Sequence, residues 1–274
     1  MIDSSSDKST PLRPFAVATV LLLIVEVVLL RFAGQLSVRH GLHAGSTPDV
    51  LALEWPSFVA WPTFMLIGAV MWLLPQLKAR NRVSDGHAMA CFLLLLLGIG
   101  VETVARTLLA SWMVGKAAIV LGAAFQTIAA IIYLVSVRRD TVRSLHPSMY
   151  DVMLQIGAVW LVGSLAIHTG QSIAFMVGYE DALSAEIYVG LYKGFALGFV
   201  GNTGIWLLIS TMPHFLDTRE PGVRPGGFIV SYNVILLLWV LGEIWSLHYP
   251  NTWVRLPLSL LGVGLAASSV QLLV

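Results

Sequence analysis

Eight stretches of this chain are long and apolar enough to cross a bilayer as helices, and this constrains the fold more than any other feature. A spanning helix needs about 20 predominantly apolar residues. The stretches lie near 15–38, 57–77, 87–109, 112–136, 150–178, 187–212, 227–248 and 252–274. Apolar runs such as Val20–Leu30, broken only by Glu26, and Phe92–Leu97 read as helix, because the strands of a membrane barrel alternate between lipid-facing and lumen-facing residues. Spans three and four are joined by a tight turn around Ala110–Ser111, and spans seven and eight meet at Tyr249-Pro250-Asn251, where proline and asparagine favour a turn.

Composition excludes the alternatives. Only 11% of the 274 residues are charged and 57% are hydrophobic, against about 25% charged in a soluble domain. So little charge cannot keep the surface of a water-soluble enzyme wet, and it also excludes disorder and a coiled coil. A net charge of +1 without a basic run argues against nucleic acid as a partner. The single cysteine, Cys91, lies in an apolar run, which leaves no disulfide framework and no thiolate metal cluster. The partner that composition implies is the lipid bilayer.

Lys/Arg bias orients the bundle. With the N-terminus inside, ten basic residues, among them Lys78, Arg80, Arg82, Arg138, Arg139 and Arg143, fall on the cytoplasmic side, against Arg39 and Arg255 on the other. The expectation is a multi-pass cell-membrane protein with both termini cytoplasmic. The polar, Ser-rich stretch before the first span reads as a tail and not as a secretory signal.

The two halves of the chain resemble each other. Gly34-Gln35 recurs as Gly170-Gln171, Leu74-Pro75 as Met212-Pro213, Glu102 as Glu243, Trp112 as Trp253, and Leu121-Gly122 as Leu261-Gly262. Four spans per copy keep both copies in one orientation, as in parallel repeats about the membrane normal. The expected fold is therefore an all-α integral membrane protein of eight transmembrane helices in two parallel four-helix repeats. Its parts are an N-terminal tail at 1–14, a first repeat at 15–136, a basic cytoplasmic linker at 137–149 and a second repeat at 150–274.

Charges at bilayer depth are costly and normally face the bundle interior. Here they are Glu26, Arg31, Glu102, Arg106, Lys116, Lys193 and Glu243, accompanied by His168 and Gln171. Under the orientation above, nearly all lie in the outer half. Glu102 and Arg106 stand four residues apart on one helix, so their side chains meet. They read either as a structural ion pair or as a ligand anchor or proton relay. Lys116, Arg31 and Arg255 read as snorkelling cations, whereas Lys193 and Glu243 sit among small or aromatic residues. His168 is the only one of seven histidines well inside a span. A haem with two axial imidazoles needs a second histidine at similar depth, which His248, His40 or His43 supplies only if the outer ends converge. The default role of His168 is a hydrogen-bonded interior side chain. The ligand-binding candidates are thus Glu102, Arg106, His168, Lys193 and Glu243, with no metal assigned.

Trp55, Trp61, Trp72, Trp112, Trp245 and Trp253 fit an interfacial belt. Gly194, Ala196, Gly198, Gly201 and Gly204 permit close helix approach, and this stretch offers the one plausible helix break. No Gly-x-Ser-x-Gly elbow, Walker loop or His-Glu-x-x-His occurs, so no catalytic residue is assigned.

Lys193-Gly194-Phe195-Ala196-Leu197-Gly198 through Ser210-Thr211-Met212-Pro213-His214-Phe215 resembles a helix of the NnrS-type membrane proteins, which are similar in layout to haem–copper oxidase subunits. Gly198 and Met212-Pro213 match the spacing of that helix, and Gly68 with Leu74-Pro75 repeats it in span two. The histidine that opens the family's helix is replaced by Lys193 in span six and by Trp55 in span two, so its haem and copper ligation does not transfer to these positions. The resemblance implies a shortened scaffold in a respiratory or nitric-oxide setting, with a respiratory membrane complex as partner and a haem or small ligand in an outward-facing polar cavity. The residues by themselves also allow a proton-coupled transporter of a small solute, or a non-catalytic assembly subunit.

Overall fold

A computed structural model describes residues 14–21, 48–77, 85–109, 112–142, 148, 150–178, 185–216 and 225–246. Among the described residues the chain is all-helical. We number the helices α1 (14–21), α2 (Pro48–Leu77), α3 (Asp85–Val104), α4 (Met113–Val142), α5 (Asp151–Met176), α6 (Ala185–Lys193), α7 (Asn202–Leu216) and α8 (Pro225–Ser246). Two π-helical stretches complete them: Ala105–Leu109 continues α3, and Gly194–Gly201 joins α6 to α7.

Five of the helical segments are long and apolar enough to cross a membrane: Phe58–Leu77, Gly86–Val104, Met113–Val142, Asp151–Met176 and Gly190–Thr211; Gly226–Gly242 is a shorter apolar helix. Their outward faces carry large apolar side chains, among them Leu97, Leu121, Val135, Val159, Leu208 and Leu238. Water would penalise such a surface and hydrocarbon would not. The eighth span, 252–274, and the turn at 249–251 lie outside the described residues, as do Glu26, Arg31, Arg255, His40 and His43.

The observed boundaries differ from the hydropathy windows at two places. Helix α2 begins at Pro48, nine residues before the apolar window opens. Helix α4 runs to Val142, so the first residues of the basic 137–149 linker are helical. Hydropathy marks only the part of a helix that suits lipid, whereas backbone hydrogen bonding continues beyond the membrane. The next helix starts on a reciprocal cap that the hydropathy pattern does not show. The Ser148 backbone N–H donates to Asp151 Oδ2 at 3.0 Å, and Ser148 Oγ accepts from the Tyr150 N–H at 3.3 Å.

Packing proceeds around a ring. Helix α2 packs on α3, α3 on α4, α4 on α5, and α5 on the Gly194–Gly201 segment and α7, which also touch α2; α8 lies against α6. Phe15 of α1 is buried among Phe64 and Phe92, at centroid distances of 6.1 and 5.1 Å. The α3–α4 crossing depends on two glycines: a Cβ at Gly98 would stand 2.7 Å from the Gly122 carbonyl oxygen, and one at Gly122 would stand 2.7 Å from that of Gly98. Cys91 Sγ donates to the Ala129 carbonyl across the same interface at 3.5 Å.

The α4–α5 register is fixed by two side-chain hydrogen bonds. Thr127 meets Thr169 at 2.9 Å, and Gln155 Nε2 donates to Thr141 Oγ1 at 2.7 Å. Each helix advances fourteen residues between these contacts, about 21 Å at 1.5 Å per residue. The two helices therefore stay antiparallel and in step through most of a bilayer thickness.

From Ala185 to Leu216 the helix is continuous. The glycine-rich stretch does not break it but rewinds it to the wider π form. Carbonyls in this stretch accept side-chain donors: Leu197 O from Tyr232 Oη at 2.8 Å, and Gly198 O from Asn202 Nδ2 at 2.7 Å. The Trp160 indole lies across Gly198, where a Cβ would stand 2.4 Å from its ring, which is the close approach that small residues allow.

Candidate functional site

The site is built on Glu102, in the last helical turn of α3 before the π stretch. Its side chain is completely buried. Glu102 Oε1 accepts from Arg106 Nε at 2.8 Å and lies 2.7 Å from His168 Nε2; Oε2 accepts from Gln126 Nε2 at 2.6 Å. Both carboxylate oxygens are thus engaged, by residues from three helices.

Local structure explains the arrangement. Spacing of four residues stacks Arg106 over Glu102, and Arg106 is the second residue of the stretch where α3 changes to π winding. Such insertions recur at functional sites. The Gly98–Gly122 contact brings α4 close enough for the short Gln126 amide to reach the carboxylate. Helix α5 supplies His168 and, one turn further, Ser172, whose hydroxyl accepts from Arg106 Nη2 at 3.4 Å and donates to the His168 carbonyl at 3.0 Å. Helix α6 closes the group: the Tyr188 hydroxyl lies within electrostatic reach of Arg106 and Glu102, and its ring stands edge-on to His168 at 6.3 Å between centroids.

The charges nearly cancel. One carboxylate faces one guanidinium at contact distance, 2.8 Å. That balance makes the burial tolerable, since an unpaired charge at this depth would cost several kcal/mol (roughly 3 on insertion scales).

Of the candidates read from the sequence, Glu102, Arg106 and His168 come together here. Lys193 is placed elsewhere: its ammonium lies 4.4 Å over the Trp239 ring of α8, a cation–π contact. Glu243 belongs to α8, and its side chain lies outside the described residues. Lys116 sits 4.7 Å over the Phe175 ring, so its stem and charge are held against α5. Gln126, Ser172 and Tyr188 were missed. An amide in the middle of a hydrophobic span is itself a signal, and Gln126 could have been found by it. Nothing local distinguishes Ser172 or Tyr188.

The haem that the resemblance implies was tested against this geometry, and His168 does not fit it. Iron ligation needs an imidazole nitrogen directed at open space, whereas Nε2 is held by Glu102 and the whole residue is buried against Tyr188. Among the described residues no group of three or more His, Cys, Asp and Glu side chains could hold a metal ion. Compared with models of known protein families, with characterised proteins and with solved structures, the chain matches none.

Proposed function

We propose that this chain is a membrane protein that conducts protons, with Glu102 and His168 as the proton-binding centre. The observation that carries the reading is the 2.7 Å contact between a fully buried carboxylate and a fully buried imidazole inside a hydrophobic span. Ionisable groups inside spanning helices are costly to bury, and they recur in proton relays and ion paths. Arg106 neutralises the unprotonated carboxylate, and Gln126 orients it. Loading a proton weakens the attraction of Glu102 for Arg106 and frees the guanidinium to follow Ser172 and Tyr188.

The layout that accompanies this reading has eight spans in two parallel four-helix copies, both termini cytoplasmic, and the Glu102 centre in the outer half. The basic residues bordering the spans and the ordered landmarks shared by the two halves support it.

A static lock that only pins α3, α4 and α5 together would use the same hydrogen bonds, and the two roles differ in what they do to protons. The test is proton uptake into liposomes containing the purified protein and a trapped pH dye, driven by a valinomycin-imposed potassium potential. Wild type should exceed empty liposomes, and Glu102→Gln should remove at least nine-tenths of that excess. Uptake by wild type equal to that of empty liposomes refutes the reading.

A further inference from the structure

We propose that a file of buried polar side chains carries the proton from the Glu102–His168 centre to Asp151 at the far end of α5, through the hydroxyls of Tyr133 and Thr203. The inference rests on the proton-translocating reading above and supplies its path. From His168 to Asp151 is seventeen residues of helix, about 26 Å at 1.5 Å per residue, against about 30 Å of hydrocarbon. The file therefore covers most of the membrane.

Its members follow one another in depth. Ser164 is one turn from His168 on the buried face of α5. The α4–α5 register fixed by Thr127–Thr169 and Thr141–Gln155 sets Tyr133 level with Gly163, beside Ser164. Tyr133 and Thr203 are both completely buried, neither hydroxyl closes a hydrogen bond, and the two lie within electrostatic reach of one another. Three residues on from Thr203, Trp206 Nε1 donates to Asp151 Oδ1 at 3.2 Å, and the Ser148 N–H holds the other carboxylate oxygen at 3.0 Å. Asp151 is buried at the first turn of α5, at the opposite end of that helix from His168.

Packing alone does not account for the middle of this file. A hydroxyl sealed in an apolar interior without a partner is destabilising, and phenylalanine and valine would fill the same volumes without that cost. Two such hydroxyls, one on α4 and one on α7 against Gly157 of α5, lie between a buried carboxylate–imidazole pair and a buried carboxylate. A hydroxyl can accept a proton on a lone pair and release its own, so it passes charge and returns to its starting state. Water entering between polar partners, as it does in protein interiors, would bridge the longer steps. Nothing is consumed: one proton enters at Glu102–His168 and one leaves at Asp151.

The experiment is the liposome uptake assay on the full chain, with variants that keep side-chain volume. Thr203→Val and Tyr133→Phe should each slow uptake tenfold or more, and Thr203→Ser should restore at least half of the wild-type rate. Thr63→Val removes a completely buried hydroxyl on α2, a helix that supplies no member of the file, and should leave uptake unchanged. Thermal melting of each hydroxyl variant within a few degrees of wild type, and a single cooperative melt for Glu102→Gln, confirm that they are folded. If Thr203→Val and Tyr133→Phe both conduct at the wild-type rate while Glu102→Gln does not, the path is overturned and the Glu102 reading stands. Equal losses in Thr63→Val and Thr203→Val also overturn the path. Wild-type uptake no greater than that of empty liposomes overturns both.

Discussion

Removing the charge of Glu102 tests whether the centre is an ion pair bound to its neighbours or a set of independent contacts. Glu102→Gln keeps the size and one carbonyl acceptor, so Gln126 and His168 retain a hydrogen-bonding partner. Arg106 does not retain its counter-ion: the guanidinium that stood 2.8 Å from a carboxylate is left inside a hydrophobic span. Breaking a buried pair by removing one member costs about 3–5 kcal/mol. Single polar contacts between membrane helices measure lower, about 0.6 kcal/mol with a ceiling near 1.7, because the unfolded chain in the membrane also finds partners. The ion pair dominates, and we take about 3 kcal/mol for Glu102→Gln and a similar loss for Arg106→Gln, which strands the carboxylate. Glu102→Gln with Arg106→Gln together leaves two neutral amides able to bond each other. That double variant should lose only about 1–2 kcal/mol. The chain offers its own reporter, since its one cysteine, Cys91, is fully buried and reacts with a fluorogenic maleimide only on unfolding. In detergent the single variants should melt on the order of 5–10 °C below wild type, and the double variant between them and wild type. If the losses of the two singles simply add in the double, Glu102 and Arg106 are not coupled and the description of the centre is wrong.

Gly122→Leu drives a side chain into the Gly98 carbonyl and Glu102 Cβ, each within 2.8 Å of the added Cβ. It should cost about 2–3 kcal/mol and reduce proton uptake as Glu102→Gln does; a stable, fully active Gly122→Leu would contradict the close crossing. Gly178 ends α5 with φ at +91° in open space, so Gly178→Ala should cost about 1–2 kcal/mol through backbone strain alone, read by the same maleimide melt. Protein purified from cells supplied with haem precursor should show no Soret band that depends on His168; a band that shifts or vanishes in His168→Ala would show that Nε2 is available to iron after all. Lys193→Met should change Trp239 emission through loss of the ammonium 4.4 Å over its ring while leaving uptake near wild type, since Lys193 lies outside the Glu102 centre.

What the sequence determined by itself is local and additive. Spanning segments such as Gly86–Val104 and Asp151–Met176 are legible because every residue in a helix that crosses lipid must be tolerable there, so the signal accumulates along one stretch. The meeting of Glu102 and Arg106 was legible for the same reason, as a consequence of helical pitch within a single segment. His168 was visible as an ionisable side chain in a span, but its partner was not. That Glu102 rather than an iron atom holds its imidazole depends on how α3 and α5 face one another, sixty-six residues apart in the chain. Gln126 enters the centre only because two glycines let α3 and α4 cross closely, and Tyr188 only because α6 returns to cover them. Likewise, the glycines of span six allowed either a break or close packing. Trp160, Asn202 and Tyr232, by occupying the rewound turn, decided for a continuous helix. Hydrophobicity is a property of a segment and needs no partner to be read. A buried polar group acquires its role from whatever the packed helices bring against it, and that choice belonged to the tertiary structure.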